Sequence, residues 1–244
     1  MRNIRIHIDQ ALDVGCELAL PPQASEHAAR VLRLVAGDPL TLFNGDGCDY
    51  AATIIAVSKR EVTVQITETR RLVNESPLRL TLAQGVARGD KMDLIMQKAT
   101  ELGVMRIVPL LTERSEVKLD PARSEKRLAH WRAVVASACE QSGRAVLPEI
   151  TAALPLSKWL EDLANNGALR LALLPEADKS SRSLRFSDAG GLLVVGPEGG
   201  LGERDIAALS AAKFEGLQLG PRILRTETAG LAALAALQAI HGDG

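Results

Sequence analysis

The chain has 244 residues, 46% of them hydrophobic, enough to bury a sizeable core and too many for a disordered tail. A formal net charge of −1 and only 2% aromatics exclude a nonspecific nucleic-acid coat protein and a stacking surface of aromatic rings, but not a local basic face. No apolar run is long enough to span a bilayer, MRNIRIHIDQ has no signal-peptide core, and Cys16, Cys48 and Cys139 form no ligand pair, so a cytoplasmic protein without a metal is expected.

The N-terminal part reads as β-rich. RNIRIHI and part of VTVQITET alternate, and PLTLF and YAATIIAV are further strands around an NGDG turn. One helix is expected in SEHAARVLRLVAGD. Ser25 is its N-cap, Ala28, Val31, Leu32 and Val35 form its inward stripe, and Gly37 closes it. The polar stretch TRRLVNESP, Thr69 to Pro77, ends in proline and marks the boundary between a small barrel-like domain, 1–72, and a second domain, 73–244.

From Leu78 the rhythm becomes strand, helix, strand. LRLTLAQ is a strand and GVARGDK a loop. MDLIMQKATEL is a helix with Met92, Ile95, Met96, Ala99 and Leu102 on one face, capped by Gly103, and VMRIVPLL is the next strand. Asp120 followed by Pro121 opens a long helix with Trp131, Val134, Val135, Ala138 and Cys139 as its buried stripe, ending at Gly143. Helix LSKWLEDLA, turn NNG, strands LRLALLPE and LLVVG, helix ERDIAALSAA, strand LQLG and helix AGLAALAALQAI follow. This alternation predicts an α/β domain on a mostly parallel sheet. The last helix is apolar almost all round, which predicts burial on all sides or a subunit interface.

In such sheets ligands bind beyond the carboxyl ends of strands. Three such ends stand out: Leu174-Pro175-Glu176, then Gly196-Pro197-Glu198-Gly199-Gly200, then Leu219-Gly220-Pro221-Arg222 and on to Thr228. The phosphate motifs GxxxxGK[ST] and GxGxxG are both absent, and Glu198 would repel a pyrophosphate unless it turned away. A ligand without phosphate, or one carrying positive charge, suits the loops better. In RILRTETAG, Arg222 and Arg225 flank an apolar pair, Glu227 follows, and Thr226 or Thr228 can cap the final helix.

LLVVGPEGGLGERD followed by LQLGPRILRTETAGLAALAAL resembles the last two motifs of the SPOUT class of S-adenosylmethionine-dependent RNA methyltransferases. More narrowly, it is similar to the bacterial family that methylates N3 of a uridine in small-subunit ribosomal RNA. HAARVLRLVAGDPLTLFNGDG is similar to that family's PUA-like RNA-binding barrel, and KMDLIMQKATELGVMRIVPLLTERS and WRAVVASACEQSGR match its middle segments. The resemblance covers nearly the whole length.

The resemblance implies an α/β fold in which the three late loops form a trefoil knot, an exception to the rule that connections do not thread. It implies bound S-adenosylmethionine and a homodimer formed through the knot. Leu174, Pro175, Gly196, Pro197, Glu198 and Gly199 would form one part of the cofactor wall. Leu219, Gly220, Ile223, Leu224 and Thr226 would form the other.

Uridine N3 carries a proton, so transfer to it requires a base or stabilisation of the anion; the sulfonium is already activated and needs no metal. Arg225 is the first candidate to face the uracil carbonyls, with Arg222 and Arg144 behind it, and Glu227 or Glu140 is the candidate base. For the RNA, either free or in an assembled small subunit, the candidates on the barrel side are Arg2, Arg5, Arg30, Arg33, Arg70 and Arg71. Arg88, Lys91 and Lys98 would line the approach to the cofactor. Two other readings are a ribose 2′-O-methyltransferase of the same class and a noncatalytic RNA-binding knot protein. RTETAG stands where the former typically carries Ser-Leu-Asn, and the intact loops argue against the latter.

Overall fold

The computed structural model describes residues 4–58, 61–116, 121–177 and 179–243. The chain divides into two compact units. One comprises Met1–Glu75 with Ala136–Leu147, and the other Ser76–Val135 with Pro148–Gly244.

In the first unit, β1 (Arg5–His7), β2 (Glu17–Ala19), β3 (Pro39–Phe43), β4 (Cys48–Val57) and β5 (Val62–Arg71) form one sheet in the order β1-β3-β4-β5-β2. β1 runs parallel to β3, and the other pairs are antiparallel. Alternation places Ile6, Leu42, Ile54, Val64 and Ile66 in the core. The short β2 was not anticipated from the sequence.

The helix differs from expectation. α1 (Pro22–Glu26) starts at Pro22, and Ser25 lies inside it, buried, donating its hydroxyl to Leu20 O and accepting Val62 N–H. Ser25 therefore does not cap. A π-helical turn, His27–Val31, follows, with Leu32 N–H donating to His27 O at 2.9 Å. The wider turn rotates the face that 3.6-residue spacing predicts. Ala28 is buried, but Val31 and Val35 are exposed. Arg33, at φ 56°, takes the left-handed position that ends the helix instead of Gly37. Arg30 and Arg33 consequently do not continue one helical face.

The second unit contains β6 (Leu80–Gly85), α2 (Asp90–Glu101), β7 (Arg106–Leu111), β8 (Glu149–Ile150), β9 (Leu154–Pro155) and α4 (Leu156–Glu161), with α3 (Pro121–Ser142) running from this unit into residues grouped with the first. β10 (Leu169–Leu173), β11 (Gly191–Val195), α5 (Glu203–Ala211), β12 (Glu215–Leu217) and α6 (Thr226–His241) complete it. The strand order is β12-β10-β11-β6-β7-β8, with β9 beside β7, and every pairing is parallel. Parallel strands need covering on both faces. On one face Ala83, Val108, Ala172 and Val194 pack with Trp159, Leu209 and Phe214 from the α4–α5 layer. α6 packs against α2, β6 and β11. In α2, Met92, Ile95, Met96 and Ala99 are buried as expected, and in α3 Trp131, Val135, Ala138 and Cys139 are buried while Val134 is partly so. The expected N-cap Asp120 lies outside the described residues.

One further expectation is corrected, and of the two readings of the final helix one is set aside. The last strand ends at Leu217, so Leu219 and Gly220 lie in the loop beyond it. The final helix is not buried all round: Gly230, Ala233, Leu234, Leu237 and Gln238 face inward, while Ala235, Ala239 and Ile240 are exposed. Among the described residues no helix is long and apolar enough to cross a membrane.

Candidate active site

β12, β10 and β11 are neighbours, and their carboxyl ends open into one cavity of about 660 Å³, within the range of roughly 300–1,000 Å³ usual for small-molecule sites. Each strand delivers one of the three loops. Leu174 and Pro175 follow β10, Gly196 to Gly200 follow β11, and Leu219 to Thr226 follow β12. All eleven residues expected to hold a cofactor line this cavity, as do Arg222, Arg225 and Glu227.

The glycines are needed where the backbone turns back on itself. A Cβ on Gly196 would stand 2.8 Å from both Gly200 C and Leu201 N. Gly200, at φ +71°, closes the turn by donating its N–H to Pro197 O at 2.8 Å. The next strand over shares the constraint: a Cβ on Gly85 would lie 2.5 Å from Pro197 N. A polar link then joins the loops through the buried core. Thr226 Oγ1 donates to Gly196 O at 2.6 Å and accepts from Gln84 Nε2 at 3.0 Å. Neither Thr226 nor Thr228 caps α6 through its side chain; Arg225 occupies the N-cap position and its carbonyl accepts Ala229 N–H. Two more contacts brace the cradle from outside. Arg114 Nη1 donates to Gly199 O, and Asp205 accepts N–H groups from Gly202 and Glu113.

The charges of the cavity differ in exposure. Arg114, Arg222 and Arg225 are exposed, as is Ile223 at 86%. Beside them, Lys91 Nζ lies 3.3 Å from Glu198 Oε1 and 3.6 Å from the more buried Glu227 Oε2. Glu198 also accepts Arg88 N–H at 3.0 Å. Burial works to raise the Glu198 carboxyl, but the N–H groups of Arg88 and of Glu198 itself, together with Lys91, outweigh it and hold the group below its ordinary value. Glu198 is therefore ionised and braces its loop against the segment before α2. Glu227 Oε2 is buried with no hydrogen-bond partner.

Other expected residues lie elsewhere. Glu140 and Arg144 do not line the cavity and have partners within the first unit. Glu140 accepts His7 N–H at 2.9 Å, and burial, opposed by that bond, pushes its carboxyl above the ordinary value. Arg144 is buried and grips Glu75 with two hydrogen bonds, at 3.0 and 2.5 Å. Arg5 is corrected as an RNA contact: its side chain is 7% exposed, paired with Asp49 at 2.6 Å, and donates to Arg144 O. Arg30 pairs with Glu26 on the surface, Arg33, Arg70 and Arg71 are exposed, and Arg2 lies outside the described residues. Arg88 pairs with Glu116 and Lys98 with Glu101. Lys91, expected on the approach to the cofactor, lines the cavity.

Sequence reasoning missed Gln84, Gln218 and Arg114. Gln84 had one available signal, a polar residue in the apolar strand LRLTLAQ. Among the described residues no group of three or more His, Cys, Asp or Glu side chains could hold a metal ion. The cavity fits a cofactor without phosphate: backbone groups and aliphatic walls form it, and its charged groups include two carboxylates, of which Glu227 is the more buried.

Comparison with known proteins agrees across the chain. A model described as an RNA methyltransferase domain matches residues 74–238, and one described as an RNA methyltransferase PUA domain matches residues 20–67. Ribosomal RNA small subunit methyltransferase E of Bacillus subtilis is 31% identical over 246 residues, covering 96% of this chain and 96% of that protein. The protein of the same name in Buchnera aphidicola is 31% identical over 240 residues, covering 98% and 94%. Among solved structures, ribosomal RNA small subunit methyltransferase E of Neisseria gonorrhoeae, bound to S-adenosyl methionine, superposes with a TM-score of 0.94 at 37% identity over 99% of each chain. A Legionella pneumophila protein in complex with bound cofactor SAM superposes with a TM-score of 0.96 at 40% identity over 100% of each.

Proposed function

The chain belongs to the ribosomal RNA small subunit methyltransferase E family, and on that premise we propose that it transfers a methyl group from S-adenosylmethionine to N3 of a uridine in small-subunit ribosomal RNA. The observation that carries the reading is the cavity at the carboxyl ends of β10, β11 and β12, a glycine-built cradle with carboxylates and no phosphate motif. The loops that form it are read as a trefoil knot, as the resemblance implies. The exposed Ala235, Ala239 and Ile240 of the apolar α6 are the surface a second subunit would cover. The expected setting is the cytoplasm, with the RNA free or in the assembled subunit.

When bound, S-adenosylmethionine supplies an electrophilic methyl group. The protein's part is to align the base and manage charge on it. Arg225, exposed at the rim of the cavity, presents a guanidinium to the uracil carbonyls and stabilises the negative charge that develops as N3 loses its proton. Arg222 supports it from the same loop. Glu227 is the proton acceptor in preference to Glu140, because it lines the cavity and its Oε2 accepts no hydrogen bond among the described residues, its charged neighbour there being Lys91 at 3.6 Å, while Glu140 is engaged with His7. Arg144 is held by Glu75. Arg33, Arg70 and Arg71 are exposed basic residues of the PUA-like unit that face RNA in this reading, and electrostatic contacts of this kind are salt-dependent.

A deletion strain tests the reading. Its small-subunit RNA, digested to nucleosides, should lack 3-methyluridine, and expression of this chain should restore it. Loss of a 2′-O-methyl nucleoside instead would overturn the assignment of the atom.

A further inference from the structure

Glu198, Lys91 and Glu227 form a charge cluster for which the transfer chemistry gives only Glu227 a role. Their side chains are 29%, 38% and 14% exposed, so Glu227 is the one most withdrawn from solvent. Lys91 touches both carboxylates and relieves their mutual repulsion, yet two anions and one cation leave one net negative charge. The other cations at the cavity, Arg114, Arg222 and Arg225, are exposed, and Arg114 is engaged with Gly199 O. Exposed charges are screened by salt and water far more than partly buried ones. The least exposed charge of the cavity is therefore the Glu227 carboxylate, and the arginines stand at the exposed rim. Glu227 Oε2 is buried and accepts no hydrogen bond among the described residues, and it shares Lys91 with Glu198, so the single cation offsets only one of the two anions.

We propose that the Glu198–Lys91–Glu227 cluster distinguishes the two charge states of the cofactor, favouring the sulfonium form over the neutral thioether left after transfer. This rests on S-adenosylmethionine being the cofactor. The substrate form carries one more positive charge than S-adenosylhomocysteine, and the rest of the two molecules is shared except for the methyl group. An anionic wall lowers the free energy of the first and leaves the second nearly unaffected, so the spent cofactor is the one released. The cationic rim serves a different ligand, the polyanionic RNA, and keeps the two attractions apart.

Calorimetric titration of the full chain tests this with three probes. They are S-adenosylmethionine, S-adenosylhomocysteine, and an analogue with a protonated amine in place of the sulfonium. Glu227→Gln should weaken both cationic probes about threefold and leave S-adenosylhomocysteine unchanged, a size set by partly exposed charge pairs. Lys91→Met should do the reverse and raise the preference for the cationic probes about threefold. Both effects should shrink as salt rises, and the amine analogue should follow S-adenosylmethionine, which separates charge from the size of the methyl group. A merely loosened loop would shift all three probes together in both variants, and that result overturns the proposal. Failure of the wild-type chain to bind any probe overturns the cofactor assignment and this proposal with it.

Discussion

Thr226→Val removes one hydroxyl from the link that joins the loop after β11 to the start of α6. Thr226 is 6% exposed and Gln84 is fully buried, so neither can turn to water. Valine preserves the volume and loses two hydrogen bonds, the 2.6 Å bond to Gly196 O and the 3.0 Å bond from Gln84 Nε2. Gln84 Nε2 keeps Gly85 O at 3.0 Å, and Gly196 O keeps only a 3.4 Å contact with Gln84. A net hydrogen bond contributes ~1 kcal/mol and a buried group left unpaired costs ~1–3 kcal/mol, so the variant should lose about 2 kcal/mol of stability. Gly196 lines the cavity, so cofactor affinity should fall about tenfold, the equivalent of ~1.4 kcal/mol. Thr226→Ser keeps the hydroxyl and should stay within about 1 kcal/mol of wild type. Urea unfolding and calorimetric titration with S-adenosylmethionine read both effects. Equal stability and equal affinity in Thr226→Val would refute the claim that this link holds the cradle.

Arg225→Ala should lower turnover about a hundredfold while changing the dissociation constant of S-adenosylmethionine little, because the guanidinium acts on the base; unchanged turnover removes it from the mechanism. Asp49→Ala should destabilise the chain by about 3 kcal/mol in urea unfolding, since it strands Arg5 with its charge buried; a loss below about 1 kcal/mol would show that Arg5 finds water. The Glu198 carboxyl lies below its ordinary value of 4.5, so its contribution to stability is complete above pH 4.5 and is lost as pH falls through the lower folded value. Acid unfolding of Glu198→Gln should accordingly lack that part of the pH dependence, and identical acid limbs for the two proteins would contradict the brace between Glu198 and Arg88.

The cradle was legible in the sequence because its residues are local: Gly196 to Gly200 and Leu219 to Thr226 are each one continuous loop, and backbone geometry demands glycine where they turn. Lys91 was visible only as a charge, because Glu198 and Glu227 approach it from distant parts of the chain. Arg5 alternates outward in a strand pattern, yet Asp49 on β4 and the ring of Phe43 draw it into the interior. The helix near Ser25 failed for a physical reason: one π-helical turn shifts every later residue off the stripe that 3.6-residue spacing projects. The polar link through Gln84 was illegible as well, since a single glutamine in an apolar strand does not announce its partners.

The most direct measurement is transfer itself. The purified chain would be incubated with methyl-labelled S-adenosylmethionine and small ribosomal subunits from cells lacking the gene, and the RNA digested to nucleosides. The account predicts label in 3-methyluridine alone. Label in a 2′-O-methyl nucleoside, or none on subunits that the same gene restores in cells, would contradict it.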